Sequence, residues 1–242
     1  MRSRFTFYIF FICIYQILVV QTINPSPENT NVLGSSAKYA VLAGLSITNS
    51  GPTTITGSMG INPGSTNTGD AITLVDGTLH FGDANSLTAQ TDLTTAYNTL
   101  AGTAGGVDKS GIPLDSLTLT AGVYKYSSSC FLNGGVLTLD GAGDPNSKWI
   151  FQIGTSFTIA GSSKVLMTNS GSALNVYWQV GTSATLASSV TMVGNFVALT
   201  SITLGTSTTI EGRALARNGS VTLLSNLIYV PTYITSGCVW TP

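Results

Sequence analysis

The sequence predicts a mostly β protein: a three-sided, right-handed, irregular β-solenoid with one long α-helix packed along one face. Residues 123–230 form five imperfect passes of one unit, each with three short runs of alternating apolar residues separated by Gly, Ser, Asn or Thr. One stretch near residue 90 changes to the helical period. The chain is 43% hydrophobic but only 8% charged, so it can bury a sizeable core beneath an unusually uncharged surface.

The first twenty residues indicate export. Arg2 and Arg4 precede an apolar run from Phe5 to Val20, the pattern of a secretory signal peptide. We assign residues 1–22 to this peptide, with cleavage between 20 and 27, and residues 33–235 to a single solenoid domain. An uncleaved anchor is the alternative, although the run is slightly short for a membrane span. We therefore expect a secreted, extracellular protein without stable membrane association after cleavage.

The segment 38–64 repeats the pattern of the five passes. Its TTITG at residues 53–57 resembles TTIEG at 208–212, so we expect one to two further coils of the same solenoid here. Residues 66–82 are rich in Gly, Asp and Thr with one apolar run. They predict a loop or a cap over an end of the stack, because a solenoid leaves unpaired strand edges there.

A helix of about residues 84–102 follows, with Asp83 or Asn85 as its N-cap. Its apolar stripe (Ala89, Leu93, Ala96 and Leu100) needs an apolar partner, which the first runs of the passes provide. We expect Tyr126, Ile153, Val180, Leu199 and Leu215 to point inward, and Ile150, Tyr177, Phe196, Ala198, Ala214 and Ala216 to point outward beneath the helix. Gln152 and Gln179 are expected to form structural hydrogen bonds at the helix margin.

The second runs carry the main functional signal. They align so that apolar residues point inward and one column points outward: Phe131, Thr158, Thr185, Thr203 and Thr222. Serines two residues earlier form a parallel column, and no charge interrupts the face. Because threonine is stiff at χ1, such a grid of methyls and hydroxyls can order water, but it offers no pocket to a small molecule. The alternative is that these threonines reflect only high β-propensity.

Other chemistry finds little support in the sequence. A formal net charge of −1 disfavours nucleic acid as a partner. Glu28 and Glu211 are the only glutamates, and most aspartates fall in loops, which argues against a carbohydrate-active enzyme. His80, the one histidine, is expected to order a loop or the helix start. No metal-ligand spacing or phosphate loop is present, so we expect no enzyme activity, cofactor or metal.

Two smaller features remain open. Cys130 and Cys238 are the cysteines left after signal cleavage, and they form a candidate disulfide if the C-terminal tail folds back along the solenoid. Asn218 lies in the sequon Asn218-Gly219-Ser220 and is a candidate glycosylation site at the edge of the threonine-bearing face.

The chain resembles the secreted ice-binding proteins of cold-adapted microbes. The resemblance rests on residues 33–64, residues 83–102 and motifs such as NVYWQVG (175–181) and GRALARNGSVTL (212–223). It implies an irregular solenoid with the helix on one face and the N-terminal coil stacked against the C-terminal coils. It also implies adsorption to an ice crystal surface, giving thermal hysteresis and inhibition of ice recrystallisation.

The family's ice-contacting residues vary, so the resemblance carries over only the face and our register supplies the residues. We expect Ser46, Thr48, Ser156, Thr158, Ser183, Thr185, Ser201, Thr203, Ser220 and Thr222 to bind ice, with Phe131 and Leu224 interrupting the grid near its ends. A monomer is expected. The alternative function is a secreted solenoid adhesin or carbohydrate-binding surface protein.

Overall fold

The computed structural model describes residues 32–231 of the chain. The predicted signal peptide and its cleavage site, the last residues of the predicted domain, and Cys238 lie outside the described residues. Within them the chain forms 22 strands, one α-helix and two short 3-10 helices, Gly34–Lys38 and Ala173–Asn175. The β-solenoid and its helix are as the sequence predicted.

The strands, numbered along the chain, lie on three faces. The threonine face consists of Ser46–Ser50 (β2), Thr66–Gly69 (β5), Cys130–Leu132 (β11), Phe157–Ile159 (β14), Ala184–Leu186 (β17), Ile202–Leu204 (β19) and Val221–Leu224 (β21). The helix face consists of Tyr39–Ala43 (β1), Ser58–Ile61 (β4), Leu79–Phe81 (β7), Val107–Asp108 (β8), Gly122–Tyr126 (β10), Trp149–Ile153 (β13) and Val176–Val180 (β16). The third face consists of Thr53–Thr56 (β3), Ile72–Val75 (β6), Thr118–Thr120 (β9), Val136–Asp140 (β12), Lys164–Thr168 (β15) and Leu227–Tyr229 (β22).

Two longer strands, Thr191–Ala198 (β18) and Thr209–Ala216 (β20), run from the third face into the helix face. Gly194 (φ 102°) and Gly212 (φ 147°) lie opposite each other at this bend. A Cβ on Gly212 would come within 2.0 Å of the carbonyl oxygen of Gly194, so only glycine allows the strands to approach so closely here.

The spatial order of the coils differs from their order in sequence. On the threonine face the strands follow the order β11, β14, β17, β19, β21, β2, β5, and every pairing is parallel. The N-terminal coil of β1, β2 and β3 therefore stacks on the C-terminal coil, as the resemblance implied. The segment 38–64 supplies one full coil and begins a second.

The prediction of a loop or cap for residues 66–82 was wrong. This segment contains β5, β6 and β7, which complete the second N-terminal coil and continue beyond it. It was missed because the inward position of β5 is the polar Asn67 and the strand lies at the open end of the stack, where all four of its residues are exposed. At the opposite end, the Asp115 carboxylate accepts the N–H groups of Asn133 and Gly135.

The helix, Ala84–Ala101 (α1), connects the two ends of the stack. Asp83 is its N-cap, and the side chains and backbones of Asp83 and Ser86 form a reciprocal capping box. Its 18 residues span about 27 Å, close to the height of seven stacked strands. The predicted stripe of Ala89, Leu93, Ala96 and Leu100 is fully buried against the helix face.

Our inward and outward assignments beneath the helix were right for the early coils and wrong for the later ones. Outward positions under the helix are Ile150, Tyr177, Val197 and Leu215, whereas Phe196, Ala198, Ala214 and Ala216 lie in the interior and Leu199 follows the strand end. Gln152 and Gln179 are in register with Val197 and Leu215. In the later coils this outward column holds apolar residues instead of glutamine, so the alternation of polar and apolar residues no longer shows which side of the strand faces inward.

Polar contacts fasten helix α1 and the 3-10 helix Gly34–Lys38 to the stack. The Gln152 side-chain amide donates to the carbonyl oxygen of Leu100 at 2.7 Å, which confirms its structural role at the helix end. Arg213 is 4% exposed and donates to the carbonyl oxygen of Ala37 and to Oδ1 of Asn195 at 2.7 Å each. Burial lowers the pKa of Arg213 to about 10.

The interior is filled by stacked rings from successive coils. Tyr124, Phe151, Trp178 and Phe196 are in register, with ring centroids 5.4, 4.1 and 6.0 Å apart along the column. The indole N–H of Trp178 donates to the carbonyl oxygen of Val193 at 2.9 Å, so its polar atom is satisfied inside the core. This stack supports the coils that form the threonine face.

Candidate functional site

The threonine face carries an unbroken column of outward side chains. The register aligns Phe131, Thr158, Thr185, Thr203, Thr222, Thr48 and Thr68, with no bulge between any two strands. Neighbouring strands are about 4.8 Å apart and alternate residues along a strand about 6.7 Å apart, so the side chains form a regular grid. The predicted column is therefore present, and the N-terminal coils extend it.

The outward direction of the threonines follows from the burial of their neighbours. The flanking residues of four strands are at most 1% exposed: Phe157, Ile159, Ala184, Leu186, Ile202, Leu204, Val221 and Leu223. Helix α1 packs on a different face of the solenoid. The threonine face is thus neither turned inward nor covered by the helix.

Most threonine hydroxyls are available to water. Thr158, Thr185 and Thr48 are exposed, while Thr203 and Thr222 are half-buried. Within residues 32–231, the hydroxyls of Thr158, Thr185, Thr203 and Thr222 make no hydrogen bond to protein, whereas Thr48 contacts Thr68 at 3.3 Å. The column therefore presents methyls and unpaired hydroxyls side by side.

The serine column differs. The predicted residues Ser156, Ser183, Ser201, Ser220 and Ser46 all lie in it, and all are half-buried. Their hydroxyls bond across coils: Ser46 to Ser220 at 2.7 Å and Ser129 to Ser156 at 3.0 Å, while Ser183 and Ser201 accept the N–H groups of Ser201 and Ser220 at 3.3 and 3.2 Å. These hydroxyls are engaged by protein.

Charge is confined to the margin of the face. Asp70 lies just beyond the end of the terminal strand β5, and its carboxylate accepts the N–H of Gly51. Phe131 is 44% exposed and ends the column, as predicted. Leu224 was predicted near an end, but it pairs with Ser50 and two further strands follow, so it lies at the side margin.

Comparison with known proteins identifies the family to which this arrangement belongs. Residues 41–229 match the family described as Ice-binding-like. The chain belongs to this family. An ice-binding protein of Nostoc sp. (strain HG1) is 47% identical over 199 residues, which cover 82% of this chain and 73% of the relative.

Solved structures show the same fold. The crystal structure of an ice-binding protein from an Antarctic biological consortium has a TM-score of 0.79 and 42% identity, covering 83% of this chain and 90% of that one. The ice-binding protein of the Antarctic ascomycete Antarctomyces psychrotrophicus has a TM-score of 0.77 and 40% identity, covering 83% and 98%. The resemblance inferred from the sequence is confirmed.

In this member of the ice-binding-like family, sequence reasoning missed part of the candidate face. Thr66 and Thr68 extend the serine and threonine columns, since they pair with Ser46 and Thr48. The spacing of Thr66-Asn67-Thr68 matches Ser46-Ile47-Thr48, so the outward pattern was present in the sequence. The residue between the threonines, Asn67, is polar, so this segment lacks the inward apolar residues by which the other strands of the face align.

The titratable candidates have structural roles. His80 Nδ1 lies 2.6 Å from Asp83 Oδ2, which confirms that His80 orders the helix start. The Ser86 N–H, followed by the His80 hydrogen bond, lowers the pKa of Asp83 to about 2. Among residues 32–231 no three His, Cys, Asp or Glu side chains group together as a metal site would require.

Cys130 and Asn218 occupy contrasting environments. Cys130 is 1% exposed inside the coil at one end of the stack, and burial raises the pKa of its thiol to about 12. Its predicted pairing with Cys238 stays a prediction. Asn218 is exposed at the corner where the chain enters the threonine face, so its amide is accessible for the glycosylation that the sequon predicts.

Proposed function

We propose that this chain is a secreted ice-binding protein that adsorbs to ice through the threonine face, producing thermal hysteresis and inhibiting recrystallisation. The observation that carries the proposal is the in-register column of six threonines, Thr158 to Thr68 in spatial order, on an exposed and nearly uncharged sheet. Membership of the ice-binding-like family supports it. Export rests on the signal-peptide pattern of residues 1–22.

The mechanism follows from rigidity and repetition. Threonine is branched at Cβ and packed in a regular sheet, so each methyl and hydroxyl keeps a fixed position relative to the next. A hydroxyl both donates and accepts, so it can replace one water at a crystal surface, while the methyl occupies the space between waters. Each contact is weak, but the rigid column makes all of them together. Adsorbed protein then blocks growth at the bound patch.

The same geometry argues against catalysis. The threonine face presents a regular grid of outward side chains, whereas substrate sites are concave, and the named relatives are ice-binding proteins. We therefore propose a protein without enzymatic activity or cofactor, acting as a monomer. Growth of a single ice crystal in purified protein tests the proposed adsorption to ice. Faceting or arrested growth is expected, whereas a solenoid adhesin or carbohydrate-binding protein leaves crystal growth unchanged.

Thr185→Tyr tests the face. Thr185 lies within the column between Thr158 and Thr203, and a tyrosine there would project above the grid and prevent neighbouring threonines from reaching the crystal. We expect the variant to lose most of its hysteresis while melting like the wild type. Thr191→Tyr is the matched control because Thr191 is also exposed on a strand but lies on the third face. Full hysteresis in folded Thr185→Tyr would show that ice binds elsewhere.

A further inference from the structure

The junction between β2 and β21 is unlike every other step of the threonine face. Elsewhere, hydrogen-bonded partners in adjacent strands are separated by a single coil, such as the 18 residues from Ser183 to Ser201 and the 27 from Ser129 to Ser156. Ser46 and Ser220 are 174 residues apart. A short connection limits how far one strand can slide past the next, and this junction has none.

Register at the junction decides whether the column continues. Thr48 pairs with Thr222 and Ser50 with Leu224. A shift of one residue would turn Thr48 inward, and a shift of two would place it beside Leu224 or Ser220. Either shift would separate Thr48 and Thr68 from the remaining threonines. Side-chain contacts across this junction add to the backbone pairing that fixes its register.

We propose that Ser46 and Ser220 are positioning residues: their mutual hydrogen bond aligns the N-terminal coil with the C-terminal coil, and they act on ice only through the threonines. At 2.7 Å, this is the shortest hydroxyl–hydroxyl contact across the face, and both serines are half-buried. Gly44 and Leu45, just before Ser46, donate their N–H groups to the carbonyl oxygen of Gly219 at 3.0 Å each, so the contact is anchored by backbone on the same side. The proposal rests on the proposed function and refines its list of ice-binding residues.

Ser50 provides the comparison. It lies on the same strand and the same face as Ser46, but it is more exposed, and its hydroxyl has no protein partner among residues 32–231. If serine hydroxyls contacted ice directly, Ser50→Ala would reduce hysteresis at least as much as Ser46→Ala. If Ser46 acts by positioning, Ser46→Ala reduces hysteresis more than Ser50→Ala.

A double-mutant cycle in the full chain tests the proposal. Ser46→Ala and Ser220→Ala should each lower hysteresis to the same level, with no further loss in the double variant, because either change removes the same bond. Ser46→Thr should retain hysteresis, since it keeps the hydroxyl and Thr66 already occupies this column in the adjacent strand. Additive losses, or a larger loss in Ser50→Ala, would overturn the proposal.

Thermal unfolding gives a readout that does not involve ice. One hydrogen bond lost should lower the melting temperature by about 3 °C in either single variant, and by no more in the double variant. Independent, additive shifts would refute the hydroxyl pair even if the wild type binds ice. A wild type without hysteresis would refute the proposed function, while coupled shifts in melting would still establish the pairing.

Discussion

Replacement of Phe131 by threonine should extend the threonine column. Phe131 is in register with Thr158 at the end of the face, where its ring interrupts the grid. The column of six threonines spans about 24 Å, and a seventh would extend it to about 29 Å, an increase of roughly a fifth. We therefore expect Phe131→Thr to raise thermal hysteresis modestly at equal concentration of folded protein.

The stability cost of this change can be estimated from burial. Phe131 is 44% exposed, so slightly more than half of its surface contributes to packing. Because complete burial of a large apolar side chain contributes about 1.5–3 kcal/mol, the substitution should cost about 1 kcal/mol and lower the melting temperature by roughly 2–4 °C. The protein would remain folded at the freezing point, where hysteresis is measured.

Nanolitre osmometry combined with melting curves is the appropriate assay. Val136→Thr is the control, since Val136 is an apolar strand residue of the same coil, 38% exposed on the third face, and its replacement should leave hysteresis unchanged. Reduced hysteresis in folded Phe131→Thr would mean that the phenyl ring itself contacts ice. An equal gain in Val136→Thr would mean that the effect does not depend on the threonine face.

Three further outcomes are expected. The pKa of Asp83 is lowered to about 2 from 3.8, so its stabilisation of α1 is present above the ordinary carboxyl pKa and is lost as the pH falls toward 2; circular dichroism should show this loss, and Asp83→Asn should abolish the dependence. Cys130 should resist alkylation at pH 8 in the native protein and react in denaturant without reductant; a requirement for reductant would instead show that Cys130 is oxidised to a disulfide, as the predicted pairing with Cys238 requires. Arg213→Met should destabilise the protein by about 3 kcal/mol in urea unfolding, because it leaves the carbonyl of Ala37 and the side chain of Asn195 without their donor.

Much of this fold could be predicted because each coil of the solenoid repeats the same pattern of inward apolar and outward polar residues. Every coil must place apolar residues inward, so Thr158, Thr185, Thr203 and Thr222 could be aligned by spacing alone. The helix could also be predicted from the sequence, since its N-cap at Asp83 and its apolar stripe are local sequence features.

The wrong predictions concern residues whose polarity does not indicate whether the side chain points into or out of the solenoid. Val197 and Leu215 are apolar although they point outward, because α1 covers them, so alternation could not reveal their direction. Asn67 is polar although it takes an inward position, because the stack ends beside it. The division between serines bonded to protein and threonines open to water depends on hydroxyl directions, which spacing does not encode.

The stacking of β2 between β21 and β5 determines when the threonine face can be completed. As the polypeptide emerges during synthesis, the first two coils appear early but must wait for Val221–Leu224, the last strand of that face, before their inner edge is paired. Such distant pairing makes assembly slow compared with a solenoid built in sequence order. Without Val221–Leu224, Thr48 and Thr68 would be separated from Thr158, Thr185 and Thr203, so the column of six threonines is complete only after this late strand has been synthesised.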